Sequence, residues 1–328
     1  MGIKIGNTSL DMGLFLAPMA GYTDRAMRMV AHDMGAEWSV TEMVSAKAVV
    51  FGDKKTFNLA RIRGDEGNVS LQIFGSEPDI MARAASVLER GYSARGYVAP
   101  LAIDINMGCP VNKVYGNGEG SALMRNPELI YRIVKAVSEN IGIPTTVKLR
   151  AGIDSSQLNA VECALAAEAG GASLVAVHGR TRAQLYGGKA DRSIIRDVKK
   201  ALRIPVVANG DITDGQSAVD MLADTGADGI MIGRAAVGNP FVFREIVSTL
   251  RGVDYTEPTL HERISFALRQ LRIAVEDKGE EVAVTEARKQ IALYFKGFKG
   301  SAALRAKINQ LTTYKEAEKA IQEIENGL

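Results

Sequence analysis

Eight short apolar runs, each followed by a stretch of helical period, fill roughly the first 240 residues. They are LFLAPMA (14–20), WSVTEMV (38–44), VSLQIFG (69–75), AIDINMG (102–108), TTVKLRAG (145–152), LVAVHGR (174–180), PVVANGD (205–211) and GIMIGRA (229–235). PDIMARAASVLERG and SAVDMLADTGA, which lie between runs, carry helical spacing. Strand–helix alternation of this kind calls for parallel strands joined by helical crossovers. An open doubly wound sheet uses about five or six strands. Eight units suit closure into an α/β barrel, the (β/α)8 TIM barrel.

Each run also ends in a polar or special residue: Met19, Glu42, Gln72, Asn106 with Cys109, Lys148 with Arg150, His178, Asn209 with Asp211, and Gly233 with Arg234. In such barrels the C-terminal strand ends and the loops after them build the active site. Polar groups gathered at one end of nearly every strand are costly to bury without a purpose.

From about residue 251 the pattern changes. HERISFALRQLRIAVEDKGEE, VTEARKQIALYFKGF, SAALRAKINQL and YKEAEKAIQEIENGL are amphipathic and helical in spacing, with no strand-like run among them. The expected organisation is a barrel domain at 1–250 and an appended C-terminal helical bundle at 251–328, entered through VDYTEPTL. At 328 residues with 46% hydrophobic content, the chain can fill a large core. The formal net charge of +2 argues against a globally basic nucleic-acid binder but leaves room for a local patch. Two cysteines in unrelated contexts, Cys109 and Cys163, make neither a disulfide framework nor a zinc spacing, so no metal site is expected. The first residues lack an apolar signal core, and no run is long enough to span a membrane. A cytoplasmic protein is expected.

Cys109 sits between Gly108 and Pro110 where a strand stops. Most free cysteines are small buried hydrophobes, a role that Cys163 in VECALAAEAG fits. Cys109 fits it poorly, and a thiol held at a barrel mouth is a nucleophile or a proton donor. Lys148 and Arg150 are two apart on one strand and share a face. Unless they are exposed edge charges, they call for an anionic ligand or a cofactor that becomes anionic. His178, with Arg180 and Arg182 close behind, suits contacts to phosphate or a polar ring. Gly210 and Gly233–Arg234 lie where barrels commonly bind phosphate through backbone N–H groups. The glycines at 116, 118 and 120 do not match a dinucleotide fingerprint and are expected to form a mobile flap beside Cys109.

APMAGYTD (17–24), LQIFG (71–75), DINMGCPVNKV (104–114), VKLRAG (147–152), VHGRTRAQLYGGKAD (177–191), VANGDI (207–212) and MIGRAAVGNPFVF (231–243) together resemble the tRNA-dihydrouridine synthases. The likeness runs through nearly the whole chain and is greatest to the bacterial B-type enzymes, whose helical region ARKQIALYFKGFKGSAALRAKIN (287–309) is also similar. The resemblance implies FMN at the barrel mouth, reduced by NADPH (NADH being a possible donor), and hydride delivered to C6 of a tRNA uridine. By the same resemblance, Cys109 would then supply the proton to C5. It further implies that Pro18, Met19 and Ala20 line the flavin, Gln72 bonds its pyrimidine edge, Lys148 lies near N1 and O2, and His178 touches the flavin or its phosphate. Asn209, Gly210, Asp211, Gly233 and Arg234 would hold the ribityl chain and phosphate. Asn106, Arg150, Arg180 and Arg182 would face uridine or tRNA. One departure is Tyr115–Gly116–Asn117–Gly118, where relatives often carry more basic residues.

Arg288, Lys289, Lys296, Lys299, Arg305 and Lys307 form a run that no acid interrupts, interleaved with Tyr294, Phe295 and Phe298. A charge run is ordinarily a solvated face, and spaced aromatics are ordinarily core. Beside an enzyme acting on RNA, the expectation is a phosphate-tracking patch in which Arg288, Lys289, Lys296 and Arg305 contact tRNA. No protein partner is expected. A dihydroorotate-dehydrogenase-like enzyme acting on a free pyrimidine, an aldolase-type lyase with a Schiff base on Lys148, and a non-catalytic RNA-binding barrel are the competing readings.

Overall fold

The computed structural model describes residues 2–90, 97–298 and 301–326. Its strands are β1 (Ile3–Ile5), β2 (Thr8–Leu10), β3 (Leu14–Leu16), β4 (Trp38–Val40), β5 (Val44–Ser45), β6 (Val69–Phe74), β7 (Ala102–Asn106), β8 (Thr145–Arg150), β9 (Leu174–His178), β10 (Val206–Asn209) and β11 (Gly229–Ile232). Strands β3, β4 and β6 to β11 pair in parallel in chain order, and β11 pairs back onto β3. The barrel is therefore closed with eight strands, as the alternation predicts. Strand β5 follows β4 after a three-residue break and pairs with β6.

Strand alternation divides the apolar residues between two cores. Leu14, Leu16, Leu71, Ile73, Ile103, Ile105, Val147, Leu149, Val175, Val177, Ile230 and Ile232 face outward and pack with the crossover helices in the largest cluster. Phe15, Trp38, Ala102, Leu174, Val207 and Met231 face inward in a separate one. Ile3, Ile5 and Leu10 join that inner cluster, so the hairpin of β1 and β2 closes the N-terminal end of the barrel. The hairpin was not among the expected elements, although its alternation IKIGNTSL around a Gly–Asn turn is a legible signal. Its seat requires a glycine. A Cβ at Gly229 would lie 2.5 Å from the Gly13 carbonyl and 2.7 Å from Ile3 Cδ1.

Gly252, in the left-handed region at φ 65°, ends the helix Phe241–Arg251. Thr259 then caps Leu260–Lys278 by accepting from the Glu262 N–H. Helices Glu280–Ile291, Ser301–Ile308 and Tyr314–Asn326 follow. Their apolar faces meet in a cluster that includes Leu271, Ile291, Tyr294, Phe295, Ile308 and Ile321. Phe241 belongs to it too, so this packing reaches back across residue 250. Ion pairs Lys278–Asp24 (2.6 Å), Arg269–Asp33 (2.7 Å) and Arg63–Asp277 (3.2 Å) fasten Leu260–Lys278 to the first part of the barrel. Among the described residues no helix is long and apolar enough to cross a membrane.

Candidate active site

On β7, β9 and β10 the inward residues change from apolar to polar toward the C-terminal end, whereas Ser70 and Gln72 on β6 and Thr146, Lys148 and Arg150 on β8 are polar along the strand. Gln72 (β6), Asp104 and Asn106 (β7), Thr146, Lys148 and Arg150 (β8), His178 (β9) and Asn209 (β10) occupy that end. Register brings them side by side: Gln72 opposite Asp104, Asn106 opposite Lys148, Arg150 opposite His178, and His178 opposite Asn209.

Hydrogen bonds order one half of this ring. Thr146 Oγ1 donates to Asp104 Oδ1 (2.6 Å), and Gln72 Nε2 donates to Asp104 Oδ2 (2.7 Å). Asn106 Nδ2 donates to Gln72 Oε1 (2.8 Å). Asn106 Oδ1 in turn accepts from the N–H groups of Gly108 (3.2 Å) and Cys109 (2.9 Å). Each amide can face only one way, because main-chain N–H groups end the chain on one side and a carboxylate on the other. Asp104 was absent from the sequence-derived candidates. It lies two residues before Asn106, so strand alternation marks it as sharing that face. Burial pushes its carboxyl up, against the bonds from Gln72 and Thr146 and the charge of Lys148.

Burial, with the neighbouring Arg150 charge, lowers Lys148 to about 7, opposed by Asp104. Its ammonium makes no hydrogen bond or ion pair of its own among the described residues. Arg150 is engaged differently from its strand neighbour. Its Nε donates to the Gly108 carbonyl (2.9 Å), and its Nη1 donates to those of Thr181 (2.9 Å) and Leu185 (3.0 Å). The paired cations thus split: Arg150 is held by backbone carbonyls, and Lys148 faces the charge of Asp104.

Cys109 is half-buried at the rim. Burial raises its thiol above the ordinary range, opposed by a bond from the Val111 N–H and by Arg150. Its carbonyl accepts from Ser121 N (3.1 Å) and Ser121 Oγ (2.8 Å). The glycine-rich stretch is not an open flap: it forms a helical turn, Asn112–Gly116, and a 3-10 turn, Gly120–Arg125, tied back to Cys109. A Cβ at Gly120 would meet Cys109 Cβ at 3.0 Å, so the approach needs glycine. Cys163 by contrast is fully buried, with its thiol pushed up to about 12.

His178 Nδ1 accepts from the Arg180 N–H (3.1 Å), which places the ring proton on Nε2. Burial and the charges of Lys148, Arg150, Arg180 and Arg234 lower it to about 2, so it is neutral. Asp211, at φ 55°, is held by Arg180 Nη2 (2.9 Å) and the Ala190 N–H (2.8 Å), with Arg234 at 3.8 Å. Burial opposes the effect, but these partners keep its carboxyl below the usual range. Arg180 also donates to the carbonyls of Gly187 (2.9 Å) and Gly188 (2.6 Å). Asn209 Nδ2 donates to the Met231 carbonyl (2.7 Å). Gly210 has φ 123°, and a Cβ there would meet Ala190 Cβ at 2.7 Å. Pro18, Met19 and Ala20 form the loop after β3, where Thr23 Oγ1 accepts from the Met19 N–H (2.9 Å). A Cβ at Gly233 would lie 3.6 Å from Met19 Sδ, which places both ends of the sequence-derived set together. Glu42, buried under this loop, accepts from the Gly21 N–H.

Of the basic run, Lys289 reaches the rim: its Nζ lies 4.7 Å over the Tyr22 ring. Lys296 and Arg305 are exposed. Arg288 is half-buried and donates twice to the Leu311 carbonyl, so it ties its helix to the turn between Ser301–Ile308 and Tyr314–Asn326. Tyr294 and Phe295 are fully buried core. Lys299 lies outside the described residues. Arg182 donates to Asn112 Oδ1 (2.6 Å) and covers the Tyr115 ring at 4.1 Å, joining its loop to that of Cys109.

A closed parallel barrel with its polar side chains gathered at the strand C-termini defines a (β/α)8 barrel of the enzyme type. Solved structures share that fold. Histamine dehydrogenase from Rhizobium sp. 4-9 aligns with TM-score 0.57 at 12% identity, over 88% of this chain and 50% of its own length. The 6-hydroxypseudooxynicotine amine oxidase of Pseudomonas geniculata N1 aligns with TM-score 0.58 at 11% identity, over 76% and 49%. This chain thus spans about half the length of either. Sequence is more specific. A family model described as dihydrouridine synthase (Dus) matches residues 15–327. A probable tRNA-dihydrouridine synthase of Rickettsia conorii is 39% identical over 309 residues, 94% of this chain and 91% of that relative. The tRNA-dihydrouridine synthase B of Pseudomonas putida is 40% identical over 312 residues, 94% and 90%. The chain belongs to the dihydrouridine synthase family.

Proposed function

We propose that the protein reduces the C5=C6 bond of specific uridines in tRNA to 5,6-dihydrouridine, with FMN as its cofactor and Cys109 as its acid. The observation that carries this reading is the Lys148 side chain, buried on the inner face of β8 opposite Asn106, with the Cys109 thiol at the rim three residues beyond that asparagine. A cation in that condition suits an anionic ring edge. The donors nearby fit the same group: His178 Nε2 carries a proton, and Gly210 leaves open the space 3.5 Å from that nitrogen. Pro18, Met19, Ala20 and Gln72 would border the flavin, and Asn209, Gly210, Asp211, Gly233 and Arg234 its ribityl chain and phosphate. When bound and reduced by NADPH, the flavin supplies the hydride that ends at C6.

The chain's own residues do the rest. Cys109 stays protonated at neutral pH because burial disfavours its thiolate, so it is a donor toward C5. Asn106, its orientation fixed by Gln72, holds the Cys109 backbone through its Oδ1. Arg150 holds the same turn through Gly108 and, with Arg180 and Arg182, borders the entry for the unstacked uridine. The region 1–250 would carry the chemistry, and 251–328 would hold the RNA through Lys289, Lys296 and Arg305. Arg288 serves there by tying its helix to the turn at Leu311.

The test is direct. Purified protein loaded with FMN is given unmodified tRNA and NADPH, and nucleosides are quantified by mass spectrometry. Dihydrouridine at discrete positions is expected. Turnover of free dihydroorotate instead, or borohydride trapping of an adduct on Lys148, would replace this reading with one of its rivals.

A further inference from the structure

The segment 181–188 combines two features that rarely coincide. Its backbone is clamped from below by two buried arginines. Arg150 takes the carbonyls of Thr181 and Leu185, and Arg180 those of Gly187 and Gly188. Further bonds fix it from the side: Arg182 N–H to the Gly152 carbonyl and Ala183 N–H to that of Ile153, both 2.9 Å. Yet this rigid frame turns apolar groups outward. Leu185 is 49% exposed and Tyr186 58% exposed. Leu185 also has φ 51°, a conformation that a γ-branched residue adopts only when its surroundings impose it.

A strained backbone that holds an aromatic ring out to solvent at a barrel mouth calls for a ligand. The charges beside it indicate which kind. The Arg234 guanidinium lies 4.8 Å over the Tyr186 ring, Arg182 is on the same loop, and Lys189 is exposed three residues on. Apolar peptide would find these cations a poor neighbour, whereas an aromatic base on an anionic backbone suits both ring and charge. One guanidinium, that of Arg150, holds both the Leu185 carbonyl (3.0 Å) and the Gly108 carbonyl beside Cys109 (2.9 Å), so the platform and the thiol border one opening.

We propose that Leu185 and Tyr186 form a stacking platform for the unpaired RNA base next to the uridine that enters the barrel. This rests on the reading of the site as a uridine reductase acting on RNA. Stacking there would hold the strand open after the target base has left it, at no cost in loop ordering because the loop is already fixed.

Equilibrium binding of unmodified tRNA across a salt series tests this. Tyr186→Ala should weaken binding about tenfold, with the slope of log K against log salt unchanged. Tyr186→Phe, which keeps the ring, should bind within about twofold of the parent. Arg182→Gln should instead make the slope shallower by up to about 0.9. Thermal melting establishes that the exposed substitutions leave the fold intact. If Tyr186→Ala binds tRNA as the parent does, the platform falls while the reductase reading stands. If that variant keeps its tRNA affinity but has a raised KM for NADPH, the platform belongs to the nicotinamide donor and the proposal is overturned. If the parent protein itself binds no tRNA, both fall.

Discussion

The two ends of the barrel are made by the same strands and the same alternation, and they do opposite work. At the N-terminal end the inward residues are Phe15, Trp38, Ala102, Leu174 and Val207, sealed by the hairpin residues Ile3, Ile5 and Leu10. The Phe15 and Trp38 rings meet at a 44° tilt with centroids 6.4 Å apart, and the Trp38 indole donates to Ser70 Oγ (2.7 Å). At the C-terminal end, two to four residues further along, the inward positions carry Asp104, Lys148, His178 and Asn209. Polar groups at that end cost stability, and apolar burial at the other end offsets them. Stability and chemistry can therefore be perturbed separately along one strand.

The largest expected effect lies at the sealed end. Trp38→Ala should lower the free energy of unfolding by about 3–5 kcal/mol in denaturant titrations, while the molecules that remain folded keep their activity. Loss of specific activity in the folded fraction would show that the two ends are coupled. Next comes Cys109→Ala at the open end. Dihydrouridine formation should fall on the order of 100-fold or more while flavin content, NADPH oxidation and melting temperature hold. An undiminished yield would remove Cys109 from the acid role.

Lys148→Met sharpens the contrast, because it should abolish activity and yet stabilise the cofactor-free protein by on the order of a few kcal/mol, the cost of burying a charged lysine. Lys148 titrates near 7 when folded and near its ordinary 10.5 when unfolded. The cost of burying its charge is thus fully present below pH 7 and disappears as pH rises from 7 toward 10.5. The stabilisation should be greatest at pH 6 and vanish near pH 11; a gain independent of pH would mean that packing, not charge, was relieved. Near neutral pH, His178 gives the smallest effect. Its folded value near 2 lies below its ordinary 6.5, so it should withdraw about 1.4 kcal/mol of stability per pH unit as pH falls from 6.5 toward 2. His178→Asn should flatten that acid limb, as read from melting temperature across pH.

Much of this was legible beforehand. The eight runs, their order and the polar strand ends are one-dimensional signals, since period-2 alternation on parallel strands leaves a direct mark. Cys109 stood out because it follows a strand between Gly108 and Pro110, Lys148 because it shares a face with Arg150, and His178 because it ends its run. Asp104 was missed although it shares the face of Asn106, because it sits inside its run. The basic run misled in part. Tyr294 and Phe295 fill the core of the helical region, and Arg288 braces a carbonyl, since helical spacing does not reveal which face of a helix is covered.

By itself the sequence determined that strands and helices alternate eight times and that functional side chains stand at strand ends, because both follow from local periodicity. Only the tertiary structure decided what each polar group does. Lys148 and Arg150 are two residues apart with equal charge, yet one faces the Asp104 carboxyl and the other is spent on three carbonyls. That division depends on loops 40 or so positions earlier and 30 or so later, brought together by barrel closure, and no local pattern encodes such a meeting.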